Sequence, residues 1–191
     1  MDMKYILASS SPRRHELFGY ITKDFEVISP DCDEVLPEGI EPYSVPEMLA
    51  VRKALSVAKS HPDEMVVGCD TVVILDGVIF GKPKDEKNAY DLLGTLSGRT
   101  HAVVSGVCIC YKGKTLSFSQ ETDVEFYPLS DSEIRNYITE FKPFDKAGSY
   151  GVQDGGALFI KGIKGDYYNV MGLPIAKLKR EIDKLIMLAG G

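Results

Sequence analysis

The sequence lacks the features that would put it in a membrane, in an oxidising compartment or along a nucleic-acid backbone. No apolar run in its 191 residues approaches the roughly 20 needed to span a bilayer. The opening stretch MDMKYILASSSPRR has neither a signal-peptide core nor a cleavage site. A cytoplasmic location with no membrane partner is therefore expected. None of the four cysteines, Cys32, Cys69, Cys108 and Cys110, falls in a Cys-x-x-Cys spacing, so neither a zinc site nor a disulfide framework is suggested. Cys108 and Cys110 lie two apart in a strand-like run and share one face as packed free thiols. Positive charge is scarce: 22 Lys and Arg stand against 28 Asp and Glu, a formal net charge of -6. Binding of long nucleic acid through a general basic surface is excluded on that balance, and a polyanionic ligand must meet a local cationic pocket. Gly-x-Gly-x-x-Gly and the P-loop pattern are absent, as is a Gly-x-Ser-x-Gly elbow. His15, His61 and His101 are scattered, with no Cys or acid at ligand spacing, and read as surface or core histidines.

What is present is globular. Hydrophobic residues make up 44% and charged residues 26%, and one α/β domain over 1–191 is the default at this length. Lys4 to Ser9 reads as a strand, and Ser11-Pro12 caps and opens a helix running towards Gly19. An acidic loop with Asp31, Asp33 and Glu34 follows, and Ser44 with Glu47 reads as a capping box before a helix carrying Arg52 and Lys53. Met65 to Leu75 is a strand interrupted at Gly68, turned by Asp76-Gly77 into a hairpin partner over Val78 to Gly81. Asp85 caps a helix ending near Gly98, and His101 to Tyr111 and Thr115 to Tyr127 form a second hairpin about Lys112-Gly113-Lys114. Ser130 with Glu133 boxes the next helix, Ala157 to Ile163 is a further strand, and Pro174 begins a last amphipathic helix. Hairpins among crossover helices predict a mixed sheet flanked by helices.

Polar clusters fall at strand ends or helix starts, where sites in α/β proteins gather. In Ser9-Ser10-Ser11-Pro12-Arg13-Arg14, a helix N-terminus with hydroxyls and two arginines makes a phosphate cradle. A plainly capped helix is the alternative, but two arginines in a first turn oppose the helix dipole, which favours an anion. Asp70 interrupts an apolar strand, where a carboxylate is a metal ligand, a base or half of an ion pair. Lys82, between Gly81 and Pro83, reads as a fixed cation or as a turn lysine. Lys53 and Glu34 say little by themselves. Asp145 to Gln153 is glycine-punctuated, which permits tight backbone turns near a ligand.

Together these segments resemble the Maf family of nucleotide pyrophosphatases. The resemblance runs in order through Leu7-Ala8-Ser9-Ser10-Ser11-Pro12-Arg13-Arg14, Gly68-Cys69-Asp70-Thr71-Val72-Val73, Gly81-Lys82-Pro83, Ser97-Gly98-Arg99-Thr100-His101, Asp145 to Gln153 and Asn169-Val170-Met171-Gly172-Leu173-Pro174. It implies an elongated, twisted mixed sheet with a central cleft, similar to inosine triphosphate pyrophosphatases, and hydrolysis between the α and β phosphates of a nucleotide. Asp70 matches the family's proton acceptor. Arg13, Thr71 and Gln153 match the positions marking the dTTP/UTP-selective subgroup, and Ser9, Glu34, Lys53 and Lys82 match substrate- and metal-contact positions. Asp166 and Ser105 depart from the usual Ser and Thr.

A triphosphate brings about four negative charges into an acidic protein, to be offset by Arg13, Lys53 and Lys82 and by a divalent cation. Glu34 and Asp70 offer hard oxygen ligands for Mg²⁺ or Mn²⁺, with Ser9, Ser10, Arg14, Lys53 and Lys82 about the phosphates. The Gln153 amide can donate to a uracil carbonyl and accept from N3–H. The expected substrates are dTTP and UTP, with CTP and modified pyrimidine nucleotides as extensions, in a role of pool cleansing and division arrest. The competing reading is a nucleotide-binding regulator of septum formation without turnover. Homodimers are common among enzymes of this size, and one is expected here.

Overall fold

Tyr5–Ala8 forms strand β1, and Pro12–Phe18 follows as helix α1 with Pro12 in its first turn. The computed structural model describes residues 3–190. Beyond α1 come β2 (Phe25–Val27), α2 (Val45–Ala58), β3 (Met65–Leu75), β4 (Val78–Phe80), α3 (Glu86–Leu96), β5 (Thr100–Tyr111), β6 (Lys114–Phe126), α4 (Asp131–Phe141), β7 (Ile160–Lys164), α5 (Tyr167–Met171) and α6 (Ile175–Gly190). The seven strands make one mixed sheet in the order β2-β1-β3-β5-β6-β7, with β4 pairing β3 off this path. β1 lies parallel to β2 and β3, whereas β3–β4 and β6–β7 are antiparallel. The mixed, helix-flanked sheet is the fold class the sequence predicts.

Both hairpin turns follow from local chemistry. Asp76 (φ 51°) and Gly77 (φ 75°) take the paired positive angles of a type I′ turn and set Val73 opposite Phe80. Lys112 (φ 48°) and Gly113 (φ 73°) repeat that turn between β5 and β6. Asp85 accepts from Asn88 N at the start of α3, and Ser130 with Glu133 closes the capping box of α4.

Elsewhere tertiary context overrides the local pattern. Ser44 does not cap α2, because a 3-10 turn over Pro42–Ser44 already gives it helical angles, and its side chain makes no capping bond. Glu47 instead accepts from the Ser117 and Ser119 hydroxyls at 2.7 and 2.8 Å. Ser11 makes no side-chain cap either; its amide donates to Ser9 Oγ at 3.2 Å. β3 is not interrupted at Gly68. There the strand meets the backbone of α2 so closely that an added Cβ would lie 2.6 Å from both Ala50 O and Ala54 N. Gly106 in β5 takes the same helix closer still, its Cβ position being 2.1 Å from Glu47 N. Ala157 belongs to a 3-10 turn, Gly155–Phe159, so β7 begins only at Ile160. β2 and α5 are too short to carry a periodic signal.

The chain forms two compact units. The first comprises the residues up to Thr71, Ser105–Gln120 and those from Gly172 onward; the second comprises Val72–Val104 and Glu121–Met171. In the first, Ile6, Ala8, Ala50, Ala54, Val57, Val66, Cys108 and Cys110 pack as a core. In the second, Leu93, Leu96, Phe126, Tyr137, Tyr150 and Phe159 centre an aromatic-rich core, with Tyr137 stacked on Phe141 and edge-on to Phe159. Among the described residues no helix is long and apolar enough to cross a membrane.

Candidate active site

In the first unit, the polar residues singled out from the sequence come from the turn after β1, α1, the segment between β2 and α2, α2 itself and β3. Asp70 sits in β3 between Met65–Cys69 and Val72–Leu75, all buried. Its carboxylate is not orphaned there. Lys53 Nζ lies 2.5 Å from Asp70 Oδ1 and 2.9 Å from Glu34 Oε1. The Lys53 and Asp70 side chains are 12% and 15% exposed, Glu34 61%. Burial works to lower the pKa of the Lys53 ammonium, but the charge and hydrogen bond of Asp70, then of Glu34, outweigh it and the pKa is raised. The ammonium is therefore charged at neutral pH and holds two carboxylates together. Two hard-oxygen donors suit a divalent ion that completes its shell with water and phosphate oxygens. Among the described residues no group of three or more His, Cys, Asp and Glu side chains is arranged to hold a metal by itself.

Ser9 follows β1 directly and is buried. Its hydroxyl accepts from Ser11 N, and its carbonyl lies 2.8 Å from His15 Nε2. A carbonyl can only accept, so Nε2 carries the proton in that contact. Ser10 is exposed and Arg13 half-buried. Arg14, expected at the phosphates, directs three nitrogens into the protein: Nε donates to Gly172 O, Nη1 to Cys69 O and Nη2 to Thr71 Oγ1, each at 2.9 Å. Thr71 Oγ1 lies 2.8 Å from Ser105 Oγ and donates to Gly172 O at 3.3 Å.

The second unit holds Lys82 and Gln153, both exposed. Lys82 follows β4, where Gly81 O accepts from Gly148 N at 3.1 Å. The segment before Gln153 is fixed by its own contacts. Gly148 (φ 67°) and Ser149 (φ 64°) are left-handed in succession, and a Cβ at Gly148 would sit 2.9 Å from Val73 Cγ2. Tyr150 OH meets His101 Nε2 at 2.8 Å, and burial pushes the His101 pKa down to about 4, so the imidazole is neutral. Asp154 Oδ1 accepts from Tyr137 OH and Gly156 N, both at 2.9 Å, while Lys146 pairs with Asp145 and Asp154. Gln153 therefore projects from a braced loop. Asp166, the departure noted in the sequence, is a local cap: its Oδ1 accepts from Tyr168 N at 2.8 Å and its backbone N and O both bond Thr122 Oγ1 at 3.1 Å.

The structure thus brings Glu34, Lys53 and Asp70 into one array and Arg14 and Thr71 into another. Sequence reasoning missed Gly172 and Ser105 as members of the second. For Ser105 the available signal was a polar side chain inside a buried strand run, the kind of signal that marks Asp70 in β3.

A family described as Maf-like protein matches residues 4–185. The chain is 46% identical over 179 residues to a dTTP/UTP pyrophosphatase of Bacillus cytotoxicus, covering 94% of each chain. It is 46% identical over 185 residues to a dTTP/UTP pyrophosphatase of Phocaeicola vulgatus, covering 95% of this chain and 96% of that one. Among solved structures, a HAM1 protein from Coxiella burnetii superposes with a TM-score of 0.58 over 96% of this chain at 14% identity, a likeness of fold.

Proposed function

This chain belongs to the Maf family, and on that footing we propose that it is a nucleoside triphosphate pyrophosphatase converting dTTP and UTP to their monophosphates and pyrophosphate. The observation that carries the reading is the Asp70–Lys53 contact, a part-buried carboxylate held in an otherwise apolar strand by one ammonium. Relatives sharing 46% of their residues over nearly the whole chain bear that activity in their names.

Asp70 acts as the base. It takes a proton from a water molecule as the water oxygen bonds to the α-phosphorus and the bond to the bridging oxygen breaks, so that pyrophosphate departs. General-base help of this kind is worth about 10²–10⁴-fold. Lys53 holds the Asp70 carboxylate in place and offsets phosphate charge, with Arg13 and Lys82 as further cations and Ser9 and Ser10 as hydroxyl donors. Glu34 and Asp70 would hold Mg²⁺ or Mn²⁺, which when bound neutralises charge building on the phosphate oxygens. Gln153 reads the pyrimidine edge. The enzyme works on free nucleotides in the cytoplasm as a homodimer, a state that light scattering measures directly.

The test is pyrophosphate release from a panel of nucleoside triphosphates with Mg²⁺, with Mn²⁺ and with chelator, for the native chain and Asp70→Asn. Turnover of dTTP and UTP that disappears in Asp70→Asn establishes the chemistry. Loss of turnover with chelator establishes the metal. Nucleotide binding without any turnover would replace the enzyme with a nucleotide-binding regulator.

A further inference from the structure

The Arg14 guanidinium carries five N–H groups. Three of them, one from each nitrogen, are directed at acceptors of the first unit: Gly172 O, Cys69 O and Thr71 Oγ1. Two of those acceptors belong to the residues immediately before and after Asp70. The third, Gly172 O, also receives Cys69 Sγ–H at 3.3 Å and the Thr71 hydroxyl at 3.3 Å, so both neighbours of Asp70 are tied to the same carbonyl. Thr71 Oγ1 has Arg14, Ser105 and Gly172 around it, and one hydroxyl offers one donor and two acceptor sites. Its hydrogen-bonding capacity is filled within the protein. Thr71, Ser105 and Gly172 are also the first-unit residues at three of the points where the chain passes to or from the second unit. The turn is anchored by Gly172 itself, whose φ of 115° is open to glycine and strained for other residues.

We propose that Arg14 is a positioning residue. It clamps Cys69 and Thr71 on either side of Asp70 to the Gly172 turn, fixing the direction in which the Asp70 carboxylate meets its proton, and Thr71 acts through this clamp and not by contact with the base. The inference rests on the pyrophosphatase reading for its kinetic consequences, but the clamp has a signature of its own. A guanidinium fork satisfies three acceptors in one plane, which an ammonium cannot reproduce. Displacement of a catalytic group by about 1 Å is worth on the order of 10²-fold in rate.

The experiment compares Arg14→Lys, Thr71→Val, Thr71→Ser and the double variant Arg14→Lys/Thr71→Val. Expected are a fall in kcat of about 10²-fold in Arg14→Lys with KM for dTTP within about threefold of the native value, a smaller fall in Thr71→Val, and recovery of most of that fall in Thr71→Ser, which restores the hydroxyl. The double variant should be no slower than Arg14→Lys, because both changes break one network. A rise in KM of tenfold or more with kcat intact in Arg14→Lys would make Arg14 a substrate ligand and overturn the proposal, as would independent, multiplying effects in the double variant. Amide resonances of Cys69, Asp70 and Thr71 decide the clamp separately from turnover. They should move together in Arg14→Lys and Thr71→Val and return in Thr71→Ser, and an unmoved set overturns the clamp. If the native chain turned over no nucleotide while these resonances moved as expected, the enzyme reading alone would fail.

Discussion

The Lys53 ammonium stands 2.5 Å from Asp70 Oδ1, across the seam where α2 lies on β3, and the closeness of that seam is set by Gly68. The pair is part-buried on both sides, so removing the cation leaves a carboxylate short of solvent as well as of its partner. Lys53→Met should lower pyrophosphate release by about 10²-fold or more, as loss of a preorganised electrostatic partner does elsewhere. Stability should fall by about 1–2 kcal/mol, less than the 3–5 kcal/mol typical of breaking a fully buried pair. Since folding raises the Lys53 pKa above 10.5, its contribution is complete below that value and is lost as pH climbs through the folded-state value. Thermal melts of native and Lys53→Met protein from pH 7 to pH 11 check both statements; a constant gap between the two curves across that range contradicts the second.

His101 gives the opposite pH signature. It is 2% exposed, its Nδ1 is buried without a hydrogen-bond partner, and burial lowers its pKa from 6.5 to about 4. The unfolded chain takes up a proton near pH 6.5 that the folded chain refuses until about pH 4. The penalty is therefore absent above pH 6.5 and grows as pH falls, reaching about 3 kcal/mol near pH 4. Urea midpoints at pH 7 and pH 5 should differ more for the native protein than for His101→Gln, and equal differences would mean that His101 titrates normally.

Two glycine substitutions separate close approach from backbone freedom. Gly106→Ala would drive a methyl group into the backbone of α2, 2.1 Å from Glu47 N, where neither element can yield without opening the core. Such overpacking destabilises by about 3 kcal/mol or more, and insoluble expression is the expected outcome. Gly94→Ala, in the exposed middle of α3 with nothing within 4 Å of the new methyl, should stabilise by up to about 1 kcal/mol. Calorimetry on the two variants reads the contrast, and a well-folded Gly106→Ala protein would refute the packing argument.

How much of this was legible before folding depends on the range of the interactions involved. Asp76-Gly77, Lys112-Gly113, Asp85 and the Ser130–Glu133 box act within a few residues, and each does what its local chemistry predicts. Ser44 and Glu47 carry the same capping pattern and fail, because Ser117 and Ser119, some seventy residues on, supply the Glu47 carboxylate with hydroxyls. The site divides in the same way. Asp70 announced itself as a carboxylate in an apolar strand. Lys53 looked like any helix-surface lysine until α2 settled on Gly68 and Gly106 and turned it to Asp70. Arg14 was legible as a cation at a helix start but not as a clamp, since its acceptors lie 55 to 158 residues away.

Gln153 is the residue at which base selection can be tested with least disturbance to the fold. It is exposed, while its loop is held by other contacts: Tyr150 to His101, and Asp154 to Tyr137 and Gly156. Gln153→Glu should therefore leave stability within about 0.5 kcal/mol of native. Its effect on substrates follows from donor and acceptor count. An amide donates to a uracil or thymine carbonyl while accepting from N3–H, whereas a carboxylate only accepts and faces that carbonyl with like charge. Relative kcat/KM for dTTP and UTP should drop by about tenfold or more, and CTP, whose exocyclic amine donates, should rise in the ranking. A competition assay with dTTP, UTP, CTP and GTP reads the order directly. If the order is the same in Gln153→Glu as in the native chain, the base is read elsewhere.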